Sequence, residues 1–470
     1  MNVDVTAQAG RISCFKTYDI RGRVGRDLTE DIAWCIGLAV ADVVAPRHVI
    51  VGRDCRTSGA MLLEALTSGL CEGGVDVTDI GMVGTEEVYH AVGHLSADAG
   101  IAVTASHNPS GDNGMKIVGH GCKPLTEGAF ETLRRQGEAA AVPPRATGKG
   151  TLRRITLRDV YVRDTLNLVD VARLPSISMV TNAGNGVGGA MFDALVDGLA
   201  DQGVLLHASR LMHDPDGTFP NGVPTPLLKA QRGVTEAAVR EAGAACGVAW
   251  DGEADRCFVF DETGTFIDGA HFAALLAGHA LSSHPGETVL HDHRSIWPMT
   301  DAAAGAGGGA CVAKTGHIHM KRAMAETGAI YGGEMSGHHY FRSFMGCDSG
   351  MLPWLHLLEL LSTKAEPLSA YLSEIVAKLP VSGEMNFRTS APDAAREGMR
   401  RRFADRAVSM DTFDGLSMVF DDWRFNVRSS TTEPLFRLNL EARGNQAVLN
   451  ERLCDIEQML VKKLGCEKVG

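Results

Sequence analysis

Four short segments concentrate side chains able to do chemistry. The first, residues 104–116 (TASHNPSGDNGMK), follows an apolar run at 100–103. A loop at the carboxyl end of a buried strand is where α/β proteins place ligands. Ser106 offers a hydroxyl nucleophile beside His107 and Asn108, and Gly111 and Gly114 let backbone N–H groups approach a phosphate. Lys116 can serve as a base or a phosphate partner; an ordinary serine in a polar turn has the same composition. The second segment, 251–256 (DGEADR), follows the apolar 246–250. In an extended chain Asp251, Glu253 and Asp255 would point three carboxylates to one side. Such a cluster is costly unless a cation neutralises it, and hard oxygen ligands suit Mg²⁺. An exposed acidic turn is the plainer alternative. An EF-hand is excluded, although Glu262 stands at loop position twelve: position six is Arg256 rather than glycine, and 257–260 reads as a strand.

The third segment, 332–339 (GGEMSGHH), alternates Glu334, Ser336 and His338, a pattern suited to hydroxyl recognition and proton donation. A lone histidine in such a loop is otherwise structural. The fourth, 428–437 (RSSTTEPLFR), sets Arg428 before four hydroxyl residues, the composition of a phosphate cradle or of a hydroxyl-rich turn. A G-x-G-x-x-G string at 184–189 hints at a dinucleotide site and hence a dehydrogenase. The expected next strand, 204–207, lacks the acidic residue such a site needs, so turn formation and helix packing explain these glycines better.

The elements that must position these residues alternate between short β-like runs and longer helical ones. Strands are expected at 48–51, 75–80, 100–104, 178–182, 246–250 and 288–290, and helices at 31–44 and 61–72. That alternation predicts βαβ units with mostly parallel sheets. A small-residue, proline-containing stretch at 137–150 reads as a linker, 261–269 as a hairpin and 379–384 as a further boundary. Beyond it lie a strand at 435–441 and an amphipathic helix at 446–464. The expected domains are 1–150, 151–262, 263–378 and a smaller α+β domain at 379–470.

A chain of 470 residues exceeds the ~250–300 at which one hydrophobic core stops growing. With 44% hydrophobic and 22% charged residues, disorder is excluded. The net charge of −12, without a block of like charge, argues against a nucleic-acid partner. No apolar run approaches the ~18 residues of a membrane span, and MNVDVTAQAG resembles no signal peptide. Eleven cysteines without a C-x-x-C pair fit a reducing cytoplasm better than a disulfide framework.

Taken in order, the four loops resemble those of the α-D-phosphohexomutase superfamily, and more closely its bacterial phosphomannomutase/phosphoglucomutase branch. The resemblance runs from YDIRG (18–22) and IVGRDCRT (50–57) through T-A-S-H-N-P, D-G-x-x-D-R and G-E-M-S-G-H to R-S-S-x-T-E-P. It implies three α/β domains with mostly parallel sheets and a smaller fourth domain around a central cleft, one loop from each. It also implies a phosphoserine at Ser106 that exchanges its phosphoryl group with mannose 6-phosphate or mannose 1-phosphate through a hexose 1,6-bisphosphate. Arg21, His107 and Lys116 would surround the phosphoserine, with Lys116 or His338 handling the hydroxyl proton. One Mg²⁺ per chain would sit among Ser106, Asp251, Glu253 and Asp255. Glu334 and Ser336 would hold sugar hydroxyls, and Arg428, Ser430, Thr431 and Thr432 the other phosphate. Tyr18, Arg256, Arg294, Lys314, Thr315, Gly316 and His317 match further substrate-binding positions. A hexose phosphate is the expected partner, with the chain a monomer or small homo-oligomer. Glucose phosphates are expected as further substrates. Two positions depart from the family: Glu253 where Asp is usual, and Thr431 where Asn is common in this branch. The first leaves a catalytically weakened sugar-phosphate binding protein as the alternative.

Overall fold

The computed structural model describes residues 14–17, 19–139, 148–363, 366–429 and 435–469. Among them lie four sheets. The first contains β1 (Ile20–Arg23), β2 (His48–Arg53), β3 (Asp76–Met82), β4 (Ala99–Val103), β5 (Asp112–Val118) and β6 (Leu152–Arg154), in the order β1-β5-β4-β2-β3-β6. The second is β10-β9-β7-β8, from β7 (Ser178–Asn182), β8 (His207–Leu211), β9 (Cys246–Trp250) and β10 (Cys257–Phe260). The third, β12-β11-β13-β14-β15, comprises β11 (Thr288–Asp292), β12 (Gly309–Ala313), β13 (Tyr331–Gly333), β14 (His339–Phe341) and β15 (Cys347–Asp348). The last, β17-β18-β19-β20-β16-β21, is built from β16 (Met385–Arg388), β17 (Ser409–Asp411), β18 (Leu416–Val419), β19 (Trp423–Ser429), β20 (Leu435–Ala442) and β21 (Glu467–Val469).

The pairings β2–β4, β2–β3, β3–β6, β7–β8, β11–β12 and β11–β13 are parallel, as expected of strands joined by helical crossovers. Antiparallel strands enter where the chain turns straight back, as from β4 to β5 and from β13 to β14. The fourth sheet pairs antiparallel and packs helices Pro392–Phe403 and Gln446–Gln458, which makes the C-terminal part α+β.

By contacts the chain forms two compact units. The first holds residues up to Pro226 with Val248–Cys257 and Ser349–Leu352; the second holds Leu227–Gly247, Phe258–Asp348 and everything from Pro353 onward. In the first, helices Glu30–Val43 and Gly59–Glu72 pack so closely that a Cβ on Gly37 or Gly69 would strike the other helix's backbone. Leu62, Leu66 and Leu70 bury fully there, each contributing ~1.5–3 kcal/mol.

Two expectations shift. The strand expected at 204–207 begins only at His207. Val204 instead closes the preceding helix through its N–H to Leu199 O, and the edge strand that follows is largely exposed, so apolar content does not mark it. The stretch expected as a linker is helical as far as Ala139, while 140–147 lie outside the described residues. The hairpin at 261–269 is present, with Phe260 bridged to Phe266 and a helix opening at Gly269.

Candidate active site

In the first unit β4 is buried along its whole length and delivers the chain to Ser106. Three residues fix the turn. Thr104 Oγ1 donates to Asp54 Oδ2 at 2.7 Å and accepts the Ser106 amide at 3.0 Å. Arg56, 1% exposed, then ties the loop from within. Its guanidinium donates to the carbonyls of Ser106 (2.7 Å), Asn108 (2.6 Å), Pro109 (2.7 Å) and Asp112 (2.8 Å). Its Nε lies 3.3 Å from Asp54. Ser106 itself sits at φ 48°, a left-handed conformation that costs a non-glycine residue of order 1–3 kcal/mol. The loop thus holds the serine in a conformation it would not choose alone.

The Ser106 hydroxyl donates to Asp251 Oδ2 at 2.8 Å and lies 3.0 Å from His107 Nδ1. Arg21 reaches the same loop, donating from NH1 to Asn108 Oδ1 at 3.0 Å, with its Nε on Asp19 at 2.8 Å.

Asp251, Glu253 and Asp255 follow buried β9, are almost fully buried, and bring ligand oxygens within 4.8 Å of one another. They converge through a tight turn, not through the alternation of an extended chain. The Ala254 amide donates to Asp251 O at 3.1 Å, and Ala254 takes φ 56°. The turn lies hard against the serine loop: a Cβ on Gly252 would stand 3.0 Å from Ser106 O. Gly186 of the glycine string would likewise place a Cβ 2.7 Å from Gly252 O, so that glycine serves close packing.

Lys116, on β5, neutralises part of the cluster. Its Nζ lies 2.8 Å from Glu253 Oε1 and is also bonded to Asp255. The other Glu253 oxygen takes the Thr85 hydroxyl, and the Thr85 amide donates to Glu253 O at 3.1 Å. Arg256 adds a second cation, its Nε 3.7 Å from Asp251 and 4.0 Å from Asp255. Burial, reinforced by Asp255 and Glu253, still pushes the Asp251 carboxyl up to about 7. Three buried carboxylates of hard oxygen donors beside one hydroxyl are a donor set that fits a small divalent cation.

The second unit gathers the remaining residues. Arg294 donates to Asp292 Oδ2 at 2.7 Å, Glu334 Oε1 at 3.2 Å and Ser336 Oγ at 3.2 Å. Glu334 also accepts from the Gly316 amide at 3.0 Å and Tyr340 OH at 2.7 Å, with His338 Nδ1 at 3.3 Å. Burial alone would raise Glu334, but His338, Arg294 and Tyr340 hold it well below the usual carboxylate range. His317 stacks near His338 (centroids 6.5 Å), the Thr315 amide donates to Asp414 at 2.9 Å, and Lys314 stands over Phe413 at 5.6 Å.

Glu384 draws together Arg294 (3.3 Å), Arg428 (3.4 Å) and Arg437 (3.4 Å). These guanidiniums lower Glu384 despite its burial, while burial and Arg294 lower Arg428.

The structure therefore groups Arg21, Ser106, His107, Lys116, Asp251, Glu253, Asp255 and Arg256 in one unit. It groups Arg294, Lys314, Thr315, Gly316, His317, Glu334, Ser336, His338 and Arg428 in the other. Tyr18, Ser430, Thr431 and Thr432 lie outside the described residues. Sequence reasoning missed Arg56, Thr85, Tyr340 and Glu384. Only Arg56 carried a signal, an arginine within IVGRDCRT among residues that become buried.

Three domain profiles described as phosphoglucomutase/phosphomannomutase, alpha/beta/alpha domains I, II and III, match residues 13–139, 159–264 and 268–379. A phosphomannomutase of Salmonella montevideo is 46% identical over 451 residues, covering 96% of this chain and 99% of that protein. One of Escherichia coli (strain K12) is 44% identical over 444 residues, covering 94% and 97%. Among solved structures, a phosphoglucomutase/phosphomannomutase family protein from Burkholderia thailandensis superposes with a TM-score of 0.85 at 31% identity. It covers 97% of this chain and 99% of that one.

Proposed function

The chain belongs to the phosphoglucomutase/phosphomannomutase family of phosphohexomutase enzymes, and from that premise we propose that it interconverts mannose 6-phosphate and mannose 1-phosphate through phosphorylated Ser106. The observation that carries this reading is the Ser106 hydroxyl 2.8 Å from Asp251, inside a buried acidic cluster held by Lys116. In the forward half-reaction the bond from phosphorus to Ser106 Oγ breaks as a bond to a sugar hydroxyl oxygen forms. The hydroxyl proton leaves to a protein base, giving a hexose 1,6-bisphosphate. The reverse transfer, from the sugar's other end, restores the phosphoserine.

His107 borders the Ser106 hydroxyl, Lys116 sits on the acidic cluster beside it, and the two would offset charge on the moving phosphoryl group. Lys116 and His338 would handle the proton in the two directions. Glu334, held ionised by its neighbours, accepts from sugar hydroxyls, and Arg428 with Ser430, Thr431 and Thr432 would hold the phosphate that does not move. Asp251, Glu253 and Asp255 would hold one Mg²⁺, which when bound neutralises charge at the reacting phosphoryl oxygens. The extra methylene of Glu253 is supported by Lys116 and Thr85, which counts against the reading of a weakened, binding-only protein.

The same proposal includes the four-domain division at 1–150, 151–262, 263–378 and 379–470, activity on glucose phosphates, and a cytoplasmic monomer or small homo-oligomer. No helix among the described residues is long and apolar enough to cross a membrane. The test is Ser106→Ala in a coupled assay with Mg²⁺ and a trace of bisphosphate, on mannose 1-phosphate and glucose 1-phosphate in parallel. Turnover should vanish while circular dichroism and sugar-phosphate binding persist; full activity would remove the phosphoserine.

A further inference from the structure

A second set of metal-ligating side chains lies in the second unit and contributes to neither group of active-site residues. Helix Leu352–Ser362 presents His356 and Glu359 three residues apart, hence on one face, and helix Gly269–Ser283 contributes His279. Glu359 Oε2 is the shared apex, with His356 Nδ1 at 2.7 Å and His279 Nε2 at 3.1 Å. The three ligand atoms lie within 4.8 Å of one another. The imidazole of His356 is fixed in plane by stacking on Phe341, with centroids 5.2 Å apart and planes at 25°.

We infer that His279, His356 and Glu359 form a binding site for a divalent transition cation of the Zn²⁺ class, clamping the two helices. Both imidazoles now direct a nitrogen at one carboxylate oxygen, so each must donate an N–H there. A cation replaces those two hydrogens once each ring presents an unprotonated nitrogen to it, its N–H being on the other nitrogen. Four-coordinate Zn²⁺ with bonds of 2.0–2.1 Å spaces its ligands at about 3.3 Å, so the observed 2.7 and 3.1 Å need to open by about 0.6 and 0.2 Å. Side-chain exposures of 19% for both histidines and 12% for Glu359 leave room for water as the fourth ligand. Two imidazoles and one carboxylate favour Zn²⁺, whereas the all-oxygen set at Asp251 favours Mg²⁺.

A rival set shows what weakens such a site. His90, His94 and Asp164 also converge, with Asp164 Oδ2 at 2.9 Å and 3.7 Å from the two rings. There Arg163 donates twice to Asp164 Oδ1, at 3.0 and 2.9 Å, and its guanidinium both neutralises the carboxylate and repels a cation.

Calorimetric titration of the full chain with Zn²⁺ in excess Mg²⁺, with Co²⁺ absorption as the report of nitrogen ligation, tests the inference. One equivalent should bind and should raise the thermal midpoint. Glu359→Gln and His279→Ala should each weaken binding about 100-fold or more, since even residues that only support a ligand cost 10–100-fold. His94→Ala should leave it unchanged. Glu359→Gln is nearly isosteric, so circular dichroism should show it folded. Absence of Zn²⁺ binding in Mg²⁺, or an equivalent that survives both Glu359→Gln and His279→Ala, overturns the site.

Discussion

Arg56 should be as necessary to turnover as residues that touch substrate, although it acts only through the loop backbone and Asp54. In Arg56→Met, four carbonyls of the 106–112 loop lose a charged donor, and Asp54, buried to 2% exposure, loses its ion pair. Hydrogen bonds to charged groups are worth ~1.5–3 kcal/mol each, but they are not additive; breaking a buried pair on one side costs ~3–5 kcal/mol in total. At ~2–4 °C per kcal/mol for a body of this size, the melting midpoint should fall on the order of 10 °C. The catalytic loss has a separate origin. Ser106 at φ 48° relaxes once the loop is free, and a misplacement near 1 Å costs ~100-fold in rate. kcat should therefore drop about 100-fold with KM little changed. Arg56→Lys keeps the charge without the fork, and should recover stability better than rate. Differential scanning calorimetry and the coupled mutase assay read the two effects. An Arg56→Met enzyme melting within about 2 °C of the parent, with kcat within about twofold, would sink the reasoning.

Lys116→Met should destabilise the metal-free protein by ~3–5 kcal/mol, because Glu253 and Asp255 lose the ammonium beside them. Melting in EDTA against excess Mg²⁺ should show most of that loss restored by the ion; an unchanged midpoint in EDTA would contradict it. Glu86 should give stability a pH dependence. Burial pushes it up to about 7 from 4.5, even though Tyr161 and the amides of Gly350 and Met351 donate to it. A raised folded pKa means that the native state holds the proton more tightly, so its contribution is complete below pH 4.5 and is lost as pH rises through 7. The contribution is of order 3 kcal/mol. Glu86→Gln should flatten the fall in melting midpoint between about pH 5 and 8, and an unaltered slope would refute the assignment.

What the sequence displayed and what it hid divide along a physical line. Ser106 and the acidic residues of 251–255 were legible because each follows an apolar run that becomes a wholly buried strand, β4 and β9. A strand end fixes where its next few residues go, so composition and place could be read together. The form of the acidic turn was not legible, since alternation fits a pleat and a tight turn equally, and only Ala254 at φ 56° distinguishes them. The edge strand β8 was misplaced because exposure removes the apolar signal.

The same line explains the residues that went unnoticed. The like charges Asp251, Glu253 and Asp255 sit near one another in the chain. A buried cluster of one sign is tolerable only with opposite charge packed against it; Arg256 supplies part of that locally, and the closer partner comes from a distant strand. Lys116 was legible as a residue, but its place among these carboxylates, reached from β5 more than a hundred residues away, was not. Glu384 supplies opposite charge to Arg294, Arg428 and Arg437, from a stretch that reads as a mere domain boundary. Neighbouring positions show the acidic cluster, but only folding shows the distant charges that complete its neutralisation. A search for hidden site residues in such a chain should therefore begin with the opposite charges that each buried cluster requires from distant segments.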